Sequence, residues 1–144
     1  KILKIAQPLS ILQWQLTSDY SVLSGGGVFG NDEEELHPTQ RFFNLKQLGT
    51  TPKGLNVIPL ISKEEMITAT ALGDQKNGEY ALHLVNKSAT REITIIGIPE
   101  SVSSFTLYTT NSKESFKKGK SLKPKNGELK FEADGASFIS LFSR

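Results

Sequence analysis

Midway along this 144-residue chain the spacing of apolar residues changes, and that change limits the fold more than any single motif. Up to Gly49 the last apolar stripe is Phe42, Leu45 and Leu48, at three-residue spacing, which is one face of a short helix. Beyond Pro52 the spacing becomes two: Tyr80, Leu82 and Leu84; Ile93 and Ile95; Phe105 and Leu107. Period two is the signature of strands with one face buried. Strand candidates are residues 66–72, 79–85, 91–96, 103–109, 128–132 and 137–142, separated by turns such as Gly73–Gly78, Asn86-Lys87-Ser88 and Lys125-Asn126-Gly127. Short strands at such intervals predict an antiparallel β-sandwich over residues 55–144. Tyr80, Leu82, Leu84, Ile93, Ile95, Phe105, Leu107, Phe131, Phe138 and Leu141 are its expected core. The last strand carries Phe138 and Phe142 on one face and Ile139 and Leu141 on the other, so both its faces are expected to be covered.

The first third reads differently. Residues 9–17 form a strand candidate with Leu12, Trp14 and Leu16 on one face and Ile11, Gln13 and Gln15 on the other. A polar, glycine-rich loop follows from Ser18 to Glu35. Pro38 suits a first helical position, Gly49 is a natural left-handed terminator, and Pro52 bars a restart. The helix is therefore expected over 38–49 and a linker over 50–54. One strand and one helix cannot bury both their faces, so residues 1–54 read as a piece of something larger joined to the β domain.

Composition narrows the classes. Seventeen basic and fifteen acidic residues leave a net charge of +2, which gives no global pull toward nucleic acid or an anionic membrane. With 37% hydrophobic residues and eight Phe the chain can fill a core. No apolar run is long enough to span a bilayer. Cysteine is absent, which removes disulfides and thiolate chemistry. The chain opens at Lys1 with neither an initiator Met nor a signal-like segment, and is read as an excised part of a longer polypeptide.

Most local motifs have ordinary explanations. Gly25-Gly26-Gly27-Val28-Phe29-Gly30 satisfies the dinucleotide fingerprint in letters only. The helix that should receive pyrophosphate starts after an acidic run, Asp32 to Glu35, which would repel it. Those carboxylates sit in a loop with nothing to raise one pKa selectively, so they do not make a glycosidase pair. His37 and His83 are isolated and are expected in solvated or hydrogen-bonded structural roles; neither a metal set nor a nucleophilic triad is present, and no cofactor is called for. Lys113, Lys117, Lys118, Lys120, Lys123 and Lys125 surround Phe116. A lysine-rich hairpin guarding an edge strand is the simplest reading, ahead of nucleic-acid binding. Asn86-Lys87-Ser88 matches a glycosylation sequon.

The order Leu12-Gln13-Trp14-Gln15-Leu16, then residues 38–48 (PTQRFFNLKQL) and Thr51-Pro52-Lys53-Gly54, resembles the end of a retaining (β/α)8-barrel glycoside hydrolase of the clan that includes families 5, 30 and 39. Residues 68–72, 80–88 and 136–141 are similar to strands of the C-terminal β-sandwich in those enzymes. The resemblance implies a mainly β fold: an antiparallel sandwich, 55–144, preceded by a strand–loop–helix remnant of the barrel, 1–54. It implies an accessory, non-catalytic portion, because the family's two catalytic glutamates would precede Lys1, so this chain is assigned no catalytic residue. It further implies that Trp14 stacks on a sugar in the parent enzyme, with Gln13, Gln15 and Tyr20 as hydrogen-bonding neighbours. The implied partners are the N-terminal barrel of the same polypeptide and a carbohydrate substrate, without nucleic acid or a membrane span, and a secreted or periplasmic location is favoured. An independent carbohydrate-binding or adhesion sandwich is the alternative; it needs exposed aromatics, for which Tyr108 and Phe116 are the candidates.

Overall fold

The computed structural model describes residues 22–27 and 33–144. The strand proposed at 9–17, with Trp14, Gln13 and Gln15, and Tyr20 beyond it, lies outside the described residues. Two short strands, β1 (Leu23–Ser24) and β2 (His37–Pro38), pair antiparallel just ahead of the helix α1 (Gln40–Gly49). Eight strands follow: β3 (Asn56–Ile58), β4 (Ile67–Asp74), β5 (Glu79–Asn86), β6 (Arg91–Ile96), β7 (Phe105–Thr110), β8 (Lys117–Leu122), β9 (Glu128–Ala133) and β10 (Ser137–Ser143).

These strands build an unequal antiparallel sandwich. Among the described residues, six form one sheet in the order β3-β4-β5-β10-β7-β8, while β6 and β9 make the opposing sheet. The register fixes which residues point inward. Leu84 stands opposite Ile139 and Ala69, and Leu82 opposite Leu141 and Ala71, so alternate residues of three strands share one face. That inner face meets Leu129, Phe131 and Ala133 of β9, with Ile93 and Ile95 of β6 packed against the cluster. Ile93, Ile95 and Leu107 are only half-buried, because the small sheet does not reach across the whole of the large one. Phe138 is also half-buried, and it belongs to the opposite face.

The sandwich is closed on one side and open on the other. At the closed side β8 and β9 are joined by a tight turn, and Leu122 and Leu129 are buried beside it. At the open side a cavity of about 430 Å3 lies between β6 and residues 60–67, lined by Leu60, Ile67, Ala69, Leu84, Ile93 and Ile95 among others. Ile61 and Ile96 at this side are 86% and 73% exposed. Arg91 reaches Glu64 at 3.2 Å, and its buried Nε has no partner.

Three local expectations change. Pro38 falls in β2, and the helix begins at Gln40 behind Thr39, whose extended backbone makes it the N-cap residue. Gly49 does not adopt a left-handed conformation; it is the last helical residue. The helix is ended by Thr50 and Thr51, whose hydroxyls bond the Gln47 and Leu48 carbonyls, and by Pro52 behind them. Strands β3 and β8 have no clear alternation in sequence, and pairing along the sheet edges creates them.

Candidate functional site

The outer face of the six-stranded sheet carries Thr70, His83, Ser140, Thr106 and Thr110, and all of them are buried. Burying hydroxyls and an imidazole is costly unless each finds a partner. For Thr110 and Ser140 that partner is Gln47 of α1, and for His83 it is Ser140 and Thr51. The helix buries Gln47 completely, at 0% exposure, directly over β10 and β7. Its Nε2 donates to the Phe138 carbonyl at 3.1 Å, the Tyr108 carbonyl at 3.3 Å and Ser140 Oγ at 3.0 Å, and its Oε1 accepts from Thr110 Oγ1 at 2.7 Å.

His83 continues the chain of bonds. Its Nδ1 lies 2.8 Å from Ser140 Oγ and its Nε2 lies 2.9 Å from Thr51 Oγ1, just beyond the helix. The proton positions follow from the partners. Thr51 donates its hydroxyl proton to the Leu48 carbonyl, so toward His83 it can only accept, which places the ring proton on Nε2. Nδ1 is then the acceptor, and Ser140 donates to it. The seam thus runs in one sense, from the Phe116 amide through Thr110 to Gln47, and from Gln47 through Ser140 and His83 to Thr51.

This seam requires a neutral imidazole. Burial pushes the His83 pKa down to about 4, because little around the ring replaces the water a cation would need. Protonated Nδ1 would turn Ser140 into a double acceptor and leave its own proton without a place. Aromatic rings wall the site: Phe138 stacks on His83 at 5.8 Å, Phe142 meets it edge-on at 5.9 Å, and Tyr108 packs on Phe142 at 5.6 Å and on Phe116 at 5.2 Å. Lys46 sits 5.8 Å from the Phe116 ring centre.

The seam is built for attachment and not for catalysis. Ser140 is fully buried, so the Ser140–His83 pair cannot meet a substrate. The expected structural role of His83 holds, while His37 bonds the Glu35 carbonyl at 2.9 Å at the surface. Among the described residues no group of three or more His, Asp or Glu could hold a metal ion, and no helix is long and apolar enough to cross a membrane. Asn86, the sequon residue, is 1% exposed and its amide nitrogen bonds the Ala89, Ala133 and Asp134 carbonyls, which occupies the atom a glycan would need. Tyr108 and Phe116 are half-buried against each other. Sequence reasoning missed Gln47, because a glutamine between Lys46 and Leu48 carries no sign of burial and its partners lie 61 to 93 residues away.

Helix geometry sets part of the apolar stripe apart from this seam. At about 100° per residue, Phe42 and Leu45 fall on the side of α1 opposite Gln47, while Phe43 falls within about 40° of it. Leu45 and Leu48 border a hollow whose other wall includes Val85, Thr110 and Phe138, so Phe42 is the member of the stripe turned away from the sandwich.

No family model matches the sequence, and no curated protein matches it. Solved structures do match in fold. A family 30 endoxylanase from Clostridium papyrosolvens aligns with a TM-score of 0.66 at 15% identity, over 74% of this chain and 28% of its own. A family 30 subfamily 8 xylanase from Clostridium acetobutylicum gives 0.67 at 11% identity, over 74% and 28%. The catalytic domain of a family 30 xylanase from Talaromyces cellulolyticus gives 0.64 at 8% identity, over 88% and 28%. The chain is similar in fold to part of these glycoside hydrolases and spans just over a quarter of their length.

Proposed function

We propose that this chain is a non-catalytic accessory portion of a glycoside hydrolase, in which residues 55–144 form the sandwich and residues 1–54 the end of a catalytic barrel and its connection. The observation that carries this is the two-sided helix. Gln47 and Thr51 fasten α1 to the sheet by hydrogen bonds, and Phe42, with Leu45 at the rim of the hollow beside the sheet, is the surface a barrel would cover. The likeness in fold to about a quarter of family 30 xylanases supports the same division. The open side of the sandwich supports it too, since the free edge of β6 and the cavity beside it leave room for a further strand from the rest of the polypeptide.

In the parent enzyme the seam would act as a rigid coupling that holds sandwich and barrel in one orientation. The substrate is carbohydrate, with Trp14 stacking on a sugar ring and Gln13, Gln15 and Tyr20 beside it. The independent binding-module reading is weaker, because the aromatics it relies on, Tyr108 and Phe116, are stacked together beneath Lys46.

Phe42→Ser with Leu45→Ser in the full-length protein tests the assignment. Loss of soluble protein, or a melting temperature lowered by several degrees, is expected; an unchanged melting point removes the second partner. Trp14→Leu should weaken substrate binding and turnover with the fold intact, and a loss confined to stability would retire the sugar role. Two glutamates at strand ends of an upstream barrel would identify the catalytic part.

A further inference from the structure

The closed side of the sandwich holds an uneven share of the charge. Residues 113–130 carry seven lysines against two glutamates, a local charge of +5, which leaves the remainder of a +2 chain at −3. All seven lysines are exposed. Lys117 pairs with Glu114, and Lys130 lies 3.7 Å from Glu128. Lys113, Lys118, Lys120, Lys123 and Lys125 have no ion pair among the described residues. Protection of the β8 edge accounts for only part of this, because β3 and β6, also edge strands among the described residues, contain no lysine and between them a single arginine.

Three of the lysines share a shaped surface. Lys123, Lys125 and Lys130, with Asn126 and Glu128, line a concavity of about 500 Å3 at the β8–β9 turn. The turn is rigid. Lys125 and Glu128 exchange amide bonds at 2.8 and 2.9 Å across Asn126 and Gly127, both at positive φ, and the Gly127 carbonyl accepts from Ile98 at 3.0 Å. A fixed hairpin holding three cationic tips around a hollow suits spaced anionic groups. Residues 113–130 contain no arginine, so no forked contact to carboxylate or phosphate is available and the lysines act as point charges. The negative remainder of the chain disfavours a densely charged polymer such as duplex DNA, with a charge about every 1.7 Å, more than a sparsely charged one.

We propose that the Lys123–Lys125–Lys130 concavity is an accessory binding site for a carboxylate-bearing polysaccharide. The choice of polysaccharide over other sparse polyanions rests on the glycoside hydrolase reading above. The site holds the polymer by charge, well away from the helix seam.

Affinity electrophoresis of the full-length protein through polygalacturonate and through neutral xylan, at low and high salt, tests this. Lys123→Gln/Lys125→Gln/Lys130→Gln should weaken retention by polygalacturonate about tenfold at low salt, leave neutral xylan unaffected and lose the difference at high salt. The corresponding triple arginine variant should retain binding, and both should melt like the parent. An unretarded parent, a triple glutamine variant retained like the parent, or tighter binding of duplex DNA through the same lysines would overturn the site. Hydrolysis of a small neutral glycoside reads the parent activity separately, so failure of that reading is distinguishable from failure of the site.

Discussion

The two faces of the six-stranded sheet are buried in different ways. The inner face is apolar: Leu82, Leu84, Phe105, Ile139 and Leu141 pack on Leu129 and Phe131 of the small sheet. The outer face is polar at its centre, where Gln47, Ser140, His83 and Thr51 bond one another beneath the helix. An apolar core tolerates small shifts, because burial depends on area and not on direction. A hydrogen-bonded seam does not, because a slip of one residue leaves buried groups unpaired. The inner face therefore supplies stability, and the outer face fixes where the helix sits.

That contrast can be broken from either side. The largest effect is expected at Phe105, which is fully buried: Phe105→Ala should cost about 3–5 kcal/mol in chemical denaturation. A loss under 1 kcal/mol would mean the inner core is not continuous. Next comes Gln47→Leu, which keeps the bulk and removes the bonds. Leaving Thr110, Ser140 and the Phe138 carbonyl without their partner should cost about 2–3 kcal/mol. Hydrogen exchange should show the helix loosening while β4, β5 and β10 stay protected; equal loss of protection everywhere would merge the two faces into one unit.

The pH dependence sharpens the same point. The His83 pKa is lowered in the folded protein, so the unfolded chain binds the proton more readily. Its contribution is complete above the unfolded value of 6.5 and disappears as pH falls to about 4. The loss is on the order of 2–3 kcal/mol. Stability of His83→Gln should be flatter across this window, and an unchanged slope would assign the acid sensitivity to carboxylates. The smallest effect is expected at Thr51→Ala, about 1 kcal/mol, with Thr51→Ser close to the parent. Identical melting of all three proteins would show that the His83–Thr51 bond adds nothing to the attachment.

The closing strand shows why one face was easier to read than the other. Phe138, Phe142, Ile139 and Leu141 alternate, so two covered faces were legible directly, as were the inward residues of β5. The helix was legible as an amphipathic segment, yet its orientation was not. Phe42, Leu45 and Leu48 read as a stripe that needs covering, but nothing in their spacing marks Gln47 as the residue buried against the sheet. His83 could be assigned a hydrogen-bonded role from its position in a strand, but its partners lie 32 and 57 residues away.

Local pattern was enough to determine the class of fold here, because strand alternation and turn residues are properties of neighbours in the chain. It determined the existence of one helix and, with less accuracy, where that helix begins and ends. The unequal split into six and two strands, the open side beside β6 and the buried seam were decided only in three dimensions. The physical reason is that a polar side chain such as Gln47 has no intrinsic preference for the interior. It is buried because Thr110, Ser140 and two carbonyls, all from distant strands, together offer what water would otherwise supply.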